Sequence, residues 1–136
     1  MVTGSAPIDV SVLDYLKICF CVPIHEGYGL TESSAGSCMT RGNDPIAGHV
    51  GGPIASLKIR LKDVPAMEYY STDKPYPRGE ICMKGPSIFS GYFSRPDKTA
   101  EVFDDQGWFM TGDVAEIYEN GSIKIIDRSK NIFKLS

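Results

Sequence analysis

Thr111 to Arg128 reads TGDVAEIYENGSIKIIDR. Its centre, Asn120-Gly121, is the dipeptide best suited to the two positive φ angles of a type I′ turn, and β-prone residues flank it on both sides. The stretch therefore predicts a β-hairpin with a two-residue loop. Counting outward, Glu119 faces Ser122, Tyr118 faces Ile123, Ile117 faces Lys124, and at the open end Asp113 faces Arg128. A carboxylate and a guanidinium are thus placed side by side. By itself such a pair is compatible with an ordinary surface salt bridge.

Composition narrows the setting. The chain has 136 residues, about one domain by length, with 42% hydrophobic and 23% charged residues and a net charge of -3. No basic run marks a nucleic-acid or anionic-membrane surface. The longest apolar run, Ile18 to Ile24, falls well short of the roughly 20 residues of a membrane span and contains Pro23. The N-terminal residues lack the basic and apolar regions of a signal peptide. Cys19, Cys21, Cys38 and Cys82 form no CxxC pair and read as reduced intracellular thiols. Cys19, Cys21, His25 and Cys38 could together be imagined as a zinc set, but a CxC on an apolar strand is more often core.

Working outward toward the N-terminus, Asp9 is a plausible cap for a helix over about 10–17, with Val12, Leu13 and Leu16 on one face. Ile18 to Val22 is continuously apolar and predicts a buried strand, extended by Ile24 to Tyr28. Gly27 to Gly36, GYGLTESSAG, is a functional loop by composition. Its glycines permit close backbone approach, Thr31 can donate to a phosphate oxygen, and Glu32 can ligate a hard cation such as magnesium. It is neither a Walker sequence nor a complete GxGxxG. Ala55 to Lys62 alternates and predicts a strand with Leu57, Ile59 and Leu61 inward and Lys58, Arg60 and Lys62 outward. His49 in the GHVGGP loop receives no role. Two more strands, Gly79 to Lys84 and Ser87 to Phe93, are followed by a short helix from Pro96 to about Val102. Many short strands behind one α/β unit predict a mixed α/β (α+β) fold, the end of an α/β layered subdomain followed by a small antiparallel β-barrel-like subdomain.

Seven patterns occur in order: GSAP (Gly4 to Pro7), GYGLTE (Gly27 to Glu32), GHVGGP, RGEICMKGPSIFSGYF, KTAE, GWFMTGD and DRSKNIFKLS. Together they resemble the AMP-forming, acyl-activating (adenylate-forming) ligases, and the long-chain fatty acyl-CoA synthetase branch in particular. The resemblance covers essentially the whole chain. It implies two half-reactions, formation of an acyl-adenylate from fatty acid and ATP, then transfer of the acyl group to coenzyme A with release of AMP.

The resemblance also implies roles. Tyr28 stacks on adenine, Thr31 bonds the α-phosphate, and Glu32 holds Mg2+. Asp113 binds the ribose hydroxyls and Arg128 reaches the sugar. Gly4, Ser5, Ala6 and Pro7 lie near adenine, and backbone around Gly29 and Gly51 borders the acyl group. Lys130 matches the hinge about which a C-terminal domain of the same parent chain rotates, and Lys134 acts in the second conformation. The family's DRKK reads DRSK here, with Ser129 as the departure. Residues 1–47 would end the α/β subdomain, 48–128 form the β-rich subdomain, and 129–136 hold the hinge and the start of the next domain. The upstream phosphate loop and a C-terminal lysine are not in this stretch, so a fragment inactive on its own is expected. An intracellular enzyme is implied, and its family includes members at the endoplasmic reticulum, peroxisome and outer mitochondrial membrane. The alternatives are a non-catalytic nucleotide-sensing or protein-contact module of the same fold, and a ligase for aryl or shorter acids.

Overall fold

The computed structural model describes residues 1–129, so Lys130 and Lys134, the expected hinge and second-conformation lysines, lie outside the described residues. The described residues form two four-stranded sheets. In the first, β1 (Val2–Thr3) runs parallel to β2 (His25–Tyr28), and β3 (Cys38–Met39) and β4 (Gly52–Pro53) continue antiparallel. The crossover between β1 and β2 is α1 (Val10–Phe20). The expected α/β opening is present.

Asp9 caps α1, its carboxylate accepting the Ser11 N–H. The helix runs three residues past Lys17 and absorbs Ile18, Cys19 and Phe20, which the apolar run assigned to a strand. A short apolar run suits either state; here Cys21 in the left-handed region (φ 49°) closes the helix just before Pro23. Strand pairing starts only at His25. Leu13 is buried and Leu16 partly so, while Val12 faces out. Cys19 and Cys21 are exposed at the helix end and Cys38 is buried in β3, so they do not lie together on one strand.

The second sheet is antiparallel in the order β5 (Lys58–Lys62), β6 (Arg78–Lys84), β7 (Phe109–Ile117), β8 (Ile123–Arg128). The expected antiparallel β-rich part is an open sheet with β5 and β8 as its edges, not a closed barrel. The β8 edge is stitched to the GHVGGP loop: Val50 N–H donates to Ile123 O at 2.8 Å and Ile123 N–H to Gly51 O at 2.9 Å. That stitch couples the two sheets. Ile81, Met83, Phe109, Ala115 and Ile123 pack with Leu57, Val50 and Cys38 into one core that spans both. Arg60 lies over the Trp108 ring at 4.6 Å and pairs with Asp104, so it is held rather than simply solvated.

Ser87 to Phe93 forms no strand. Gly91 sits at φ 148°, and the Phe89 N–H bonds the Glu32 carbonyl at 2.8 Å instead of a sheet partner. The segment is a loop clasped onto the GYGLTE turn. α2 (Pro96–Val102) follows as expected, with Pro96 at its first position.

The hairpin combines two departures from the simple count. Tyr118 N–H bonds Ser122 O and Gly121 N–H bonds Tyr118 O, and of Asn120 and Gly121 only the glycine has positive φ (81°). The loop is therefore the three-residue kind, a turn closed by a left-handed glycine, and it shifts the register by one: Ile117 faces Ile123 and Glu116 faces Lys124. A bulge beside Val114/Ala115 then shifts it back. Asp113 faces Arg128 after all.

Within β2 of the first sheet, Glu26 is buried and its Oε2 has no hydrogen-bond partner among the described residues. Burial pushes its carboxyl above the usual range, against the attraction of His49 and Lys17. His49 is also buried; its Nδ1 accepts the Gly51 N–H at 3.0 Å, and Nε2 lies 3.3 Å from Asp44 Oδ2 without hydrogen-bond alignment. A raised carboxyl means that the native state holds the proton more tightly than the unfolded chain does. The resulting penalty is absent below the ordinary carboxyl pKa and grows as pH rises through the folded one. Glu26→Gln is accordingly expected to raise the melting temperature of the full-length protein near about pH 8, with the gain shrinking toward about pH 4. Differential scanning calorimetry across that range checks it; a gain independent of pH contradicts it.

Candidate functional site

The TGD sequence is a bulge. Val114 faces Glu80 and Met110 faces Cys82, so Thr111, Gly112 and Asp113 together lie opposite Ile81 alone. Gly112 takes φ 78° to make that excursion, and its N–H is held by Glu80 Oε1 at 2.9 Å. The Thr111 hydroxyl donates to Ile81 O at 2.9 Å and accepts the Asp113 N–H at 3.1 Å. Bulges re-aim side chains. This one takes Asp113 out of register with β6, with its N–H held by Thr111 and its pairing to Arg128 on β8 kept.

Asp113 is 4% exposed, yet it lines a cavity of about 470 Å³. Its Oδ1 accepts from Arg128 Nε at 2.8 Å and its Oδ2 from the Tyr28 hydroxyl at 2.6 Å. The Arg128 side chain is 64% exposed, so the pair joins a buried carboxylate to an outward guanidinium. Burial, and then the neighbouring Asp113 charge, push the Tyr28 hydroxyl far above the usual tyrosine range, which keeps it a proton donor. Asp113 likewise holds the Arg128 guanidinium above its ordinary value. Each carboxylate oxygen retains a second lone pair for a ligand.

Glu32 reaches the same cavity from the first sheet. It sits in a 3₁₀ turn, Thr31–Ser33, whose shape is set by buried hydroxyls: Leu30 N–H donates to Ser33 Oγ at 3.0 Å, and the Ser37 hydroxyl donates to Ser33 Oγ at 2.7 Å. Glu32 Oε1 accepts from the Tyr92 hydroxyl at 2.8 Å. That phenol is pushed up to about 12 by desolvation and by Glu32. Leu30, Val102, Phe109 and Met110 supply an apolar wall.

Of the expected site residues, Glu32, Asp113 and Arg128 line the cavity, and Tyr28 stands behind Asp113. Thr31 is exposed beside Glu32. Gly4, Ser5, Ala6 and Pro7 form an exposed loop past the end of β1, where parallel α/β sheets present ligand sites. They do not line this cavity. Gly29 and Gly51 do not line it either, and packing already demands glycine at both. An added Cβ would lie 1.8 Å from Ala35 O at Gly29 and 2.1 Å from Met39 O at Gly51. Glu80, Thr111 and Tyr92 were not singled out from sequence. The first two are readable once TGD is taken as a bulge, whereas nothing local marks Tyr92.

A metal fits under one condition. Among the described residues no group of three or more His, Cys, Asp or Glu is placed to hold an ion alone. Glu32 lines the cavity with Oε1 bonded to Tyr92, and magnesium is often held by one or two carboxylates together with substrate phosphates. The residues present suit a cation that arrives with a nucleotide.

Comparisons with known proteins bear on the family and the fold. The family model described as AMP-binding enzyme matches residues 1–93. The chain is 49% identical over 136 residues to fatty acyl-CoA synthetase A of Dictyostelium discoideum, covering all of this chain and 20% of that protein. It is 47% identical to the peroxisomal long chain acyl-CoA synthetase 7 of Arabidopsis thaliana, again over its whole length and 19% of that protein. The chain therefore spans about a fifth of the length of these relatives. The A domain of the carboxylic acid reductase of Segniliparus rugosus, solved with AMP and a co-purified carboxylic acid, superposes with a TM-score of 0.83 at 35% identity, covering 96% of this chain and 19% of that one. The fold is that of an adenylate-forming ligase domain, and the chain belongs to the AMP-binding enzyme family.

Proposed function

We propose that this chain is part of an AMP-forming long-chain fatty acid-CoA ligase. In that reaction the fatty acid carboxylate attacks the α-phosphorus of ATP, expelling pyrophosphate and leaving an acyl-adenylate. The coenzyme A thiol, losing its proton, then attacks the acyl carbon and displaces AMP. The observation that supports the reading best is the convergence of Glu32, Asp113 and Arg128 on one cavity. Asp113 accepts the ribose hydroxyls with its remaining lone pairs, and Arg128 steadies that carboxylate while reaching the sugar. Tyr28 holds Asp113 through its hydroxyl and offers its ring to adenine, with Gly4 to Pro7 alongside. Thr31 donates to the α-phosphate. Glu32 together with the phosphates would hold Mg2+, which would supply positive charge to the developing pyrophosphate. Backbone at Gly29 and Gly51 borders the acyl group, and Lys130 and Lys134 serve the domain rotation and the second half-reaction.

Hydroxylamine trapping tests the proposal. The full-length protein should form a fatty hydroxamate only when both ATP and a long-chain acid are present, and residues 1–136 alone should form none. Absence of both hydroxamate and ATP–pyrophosphate exchange with fatty acids from the full-length protein would remove the ligase reading.

A further inference from the structure

We propose that Tyr92 is a positioning residue that restricts Glu32 to one metal-facing oxygen, and so tunes the site toward magnesium and against calcium. The inference rests on Glu32 being the metal-holding carboxylate of the reading above. Tyr92 comes from the SIFSGY loop, far from Glu32 in sequence, and its hydroxyl donates to Glu32 Oε1 at 2.8 Å. The same loop holds the turn that carries Glu32. Phe89 N–H donates to the Glu32 carbonyl at 2.8 Å, and the Ser34 hydroxyl donates to Ser87 O at 3.0 Å.

The phenol is itself fixed. Tyr92 N–H donates to Thr99 Oγ1 at 2.9 Å, and its ring packs edge-on against Phe89 with centroids 4.9 Å apart. Phe89 in turn stacks on Phe103 and meets Phe109 edge-on. Gly91 makes the approach possible: at φ 148°, an added Cβ there would lie 2.7 Å from the Thr99 methyl. Glu32 therefore meets a donor held from behind by Thr99 and Phe89, although Tyr92 itself is 37% exposed.

The consequence is chemical. A phenol donating to Oε1 takes one of that oxygen's two lone pairs and withdraws charge from it, which favours one-oxygen binding through Oε2 over binding through both oxygens. Magnesium accepts that readily in its octahedral shell, whereas calcium gathers six to eight oxygens and gains from two-oxygen carboxylate binding. Removing the hydroxyl frees Oε1, admits the two-oxygen mode, and loosens the orientation that magnesium uses. Outer hydrogen-bond partners of metal ligands commonly carry about 10- to 100-fold in metal affinity.

The test uses the full-length protein with ATP and Mn2+ as the paramagnetic probe for the magnesium position. Tyr92→Phe keeps the ring and its packing on Phe89. It is expected to weaken Mn2+ binding to the protein–ATP complex about tenfold by electron paramagnetic resonance titration. Calcium should also displace Mn2+ at a lower relative concentration than in the wild type, with the melting temperature unchanged. Glu32→Gln is run alongside. If Glu32→Gln weakens Mn2+ binding while Tyr92→Phe changes neither the affinity nor the calcium competition, the role given to Tyr92 is wrong and the Glu32 reading stands. If Glu32→Gln leaves Mn2+ binding intact, Glu32 is not the metal ligand and both fail.

Discussion

Asp113→Ala in the full-length protein is expected to lower kcat/KM for ATP by about 10²- to 10⁴-fold, the equivalent of two hydrogen bonds to a charged group at about 1.5–3 kcal/mol each. Asp113 is where the bulge, the hairpin register and the first sheet meet, because Thr111 holds its backbone, Arg128 one oxygen and Tyr28 the other. Alanine also leaves the Tyr28 hydroxyl without its acceptor, so a loss of about 1–3 kcal/mol in stability accompanies the kinetic one. Arg128 is largely solvated and loses little. Stability alone therefore cannot identify the role, and the sugar must be varied as well. The wild type should discriminate strongly between ATP and 2′-deoxy-ATP or 3′-deoxy-ATP, and Asp113→Ala should discriminate weakly, since the site that read the hydroxyl is gone. Equal discrimination by both proteins would make Asp113 a structural anchor and take ribose recognition away from it.

Asp113 stands opposite Arg128 through two compensating departures from a simple two-residue hairpin. The count assumed a type I′ turn, but Gly121 closes a three-residue loop, and a bulge near Val114 restores the offset. Turn type is weakly encoded because Asn-Gly suits several loops, and a bulge has no composition of its own unless a glycine marks it. Gly112 does mark the TGD bulge. Local signals performed well where local chemistry decides: Asp9 capped its helix and Pro96 started one. They failed where tertiary contacts decide. Ile18 to Phe20 are apolar enough for a strand but continue α1, and Ser87 to Phe93 have strand-like residues but bond to the Glu32 turn. The candidate site follows the same division. Glu32, Asp113 and Arg128 announce themselves by charge within motifs, whereas the Tyr92 contact spans 60 positions and leaves no periodic trace. Motif resemblance suggests the roles, and the fold brings those three residues onto one cavity.

Gly51→Ala should be the most destabilising glycine change in the stitch between the sheets, and Gly121→Ala isolates why. Both residues have similar positive φ, 74° and 81°, so an alanine at either meets the left-handed penalty of about 1–2 kcal/mol. At Gly121 nothing lies within 4 Å of the added carbon. At Gly51 the carbon would fall 2.1 Å from Met39 O and 2.5 Å from Thr40 N, backbone atoms that cannot rotate aside. The loop must then move away from β3, and it carries the Val50 and Gly51 hydrogen bonds to Ile123 with it. The loss should be on the order of 4–5 kcal/mol, in the range reserved for strain at special backbone positions combined with broken packing. Hydrogen exchange of the full-length protein reads it locally: the Val50 and Ile123 amides should lose protection in Gly51→Ala and keep it in Gly121→Ala. If the two variants lose the same stability and the same protection, conformational preference alone explains both glycines. The close approach to Met39 would then not be what joins the GYGLTE sheet to the β7–β8 hairpin.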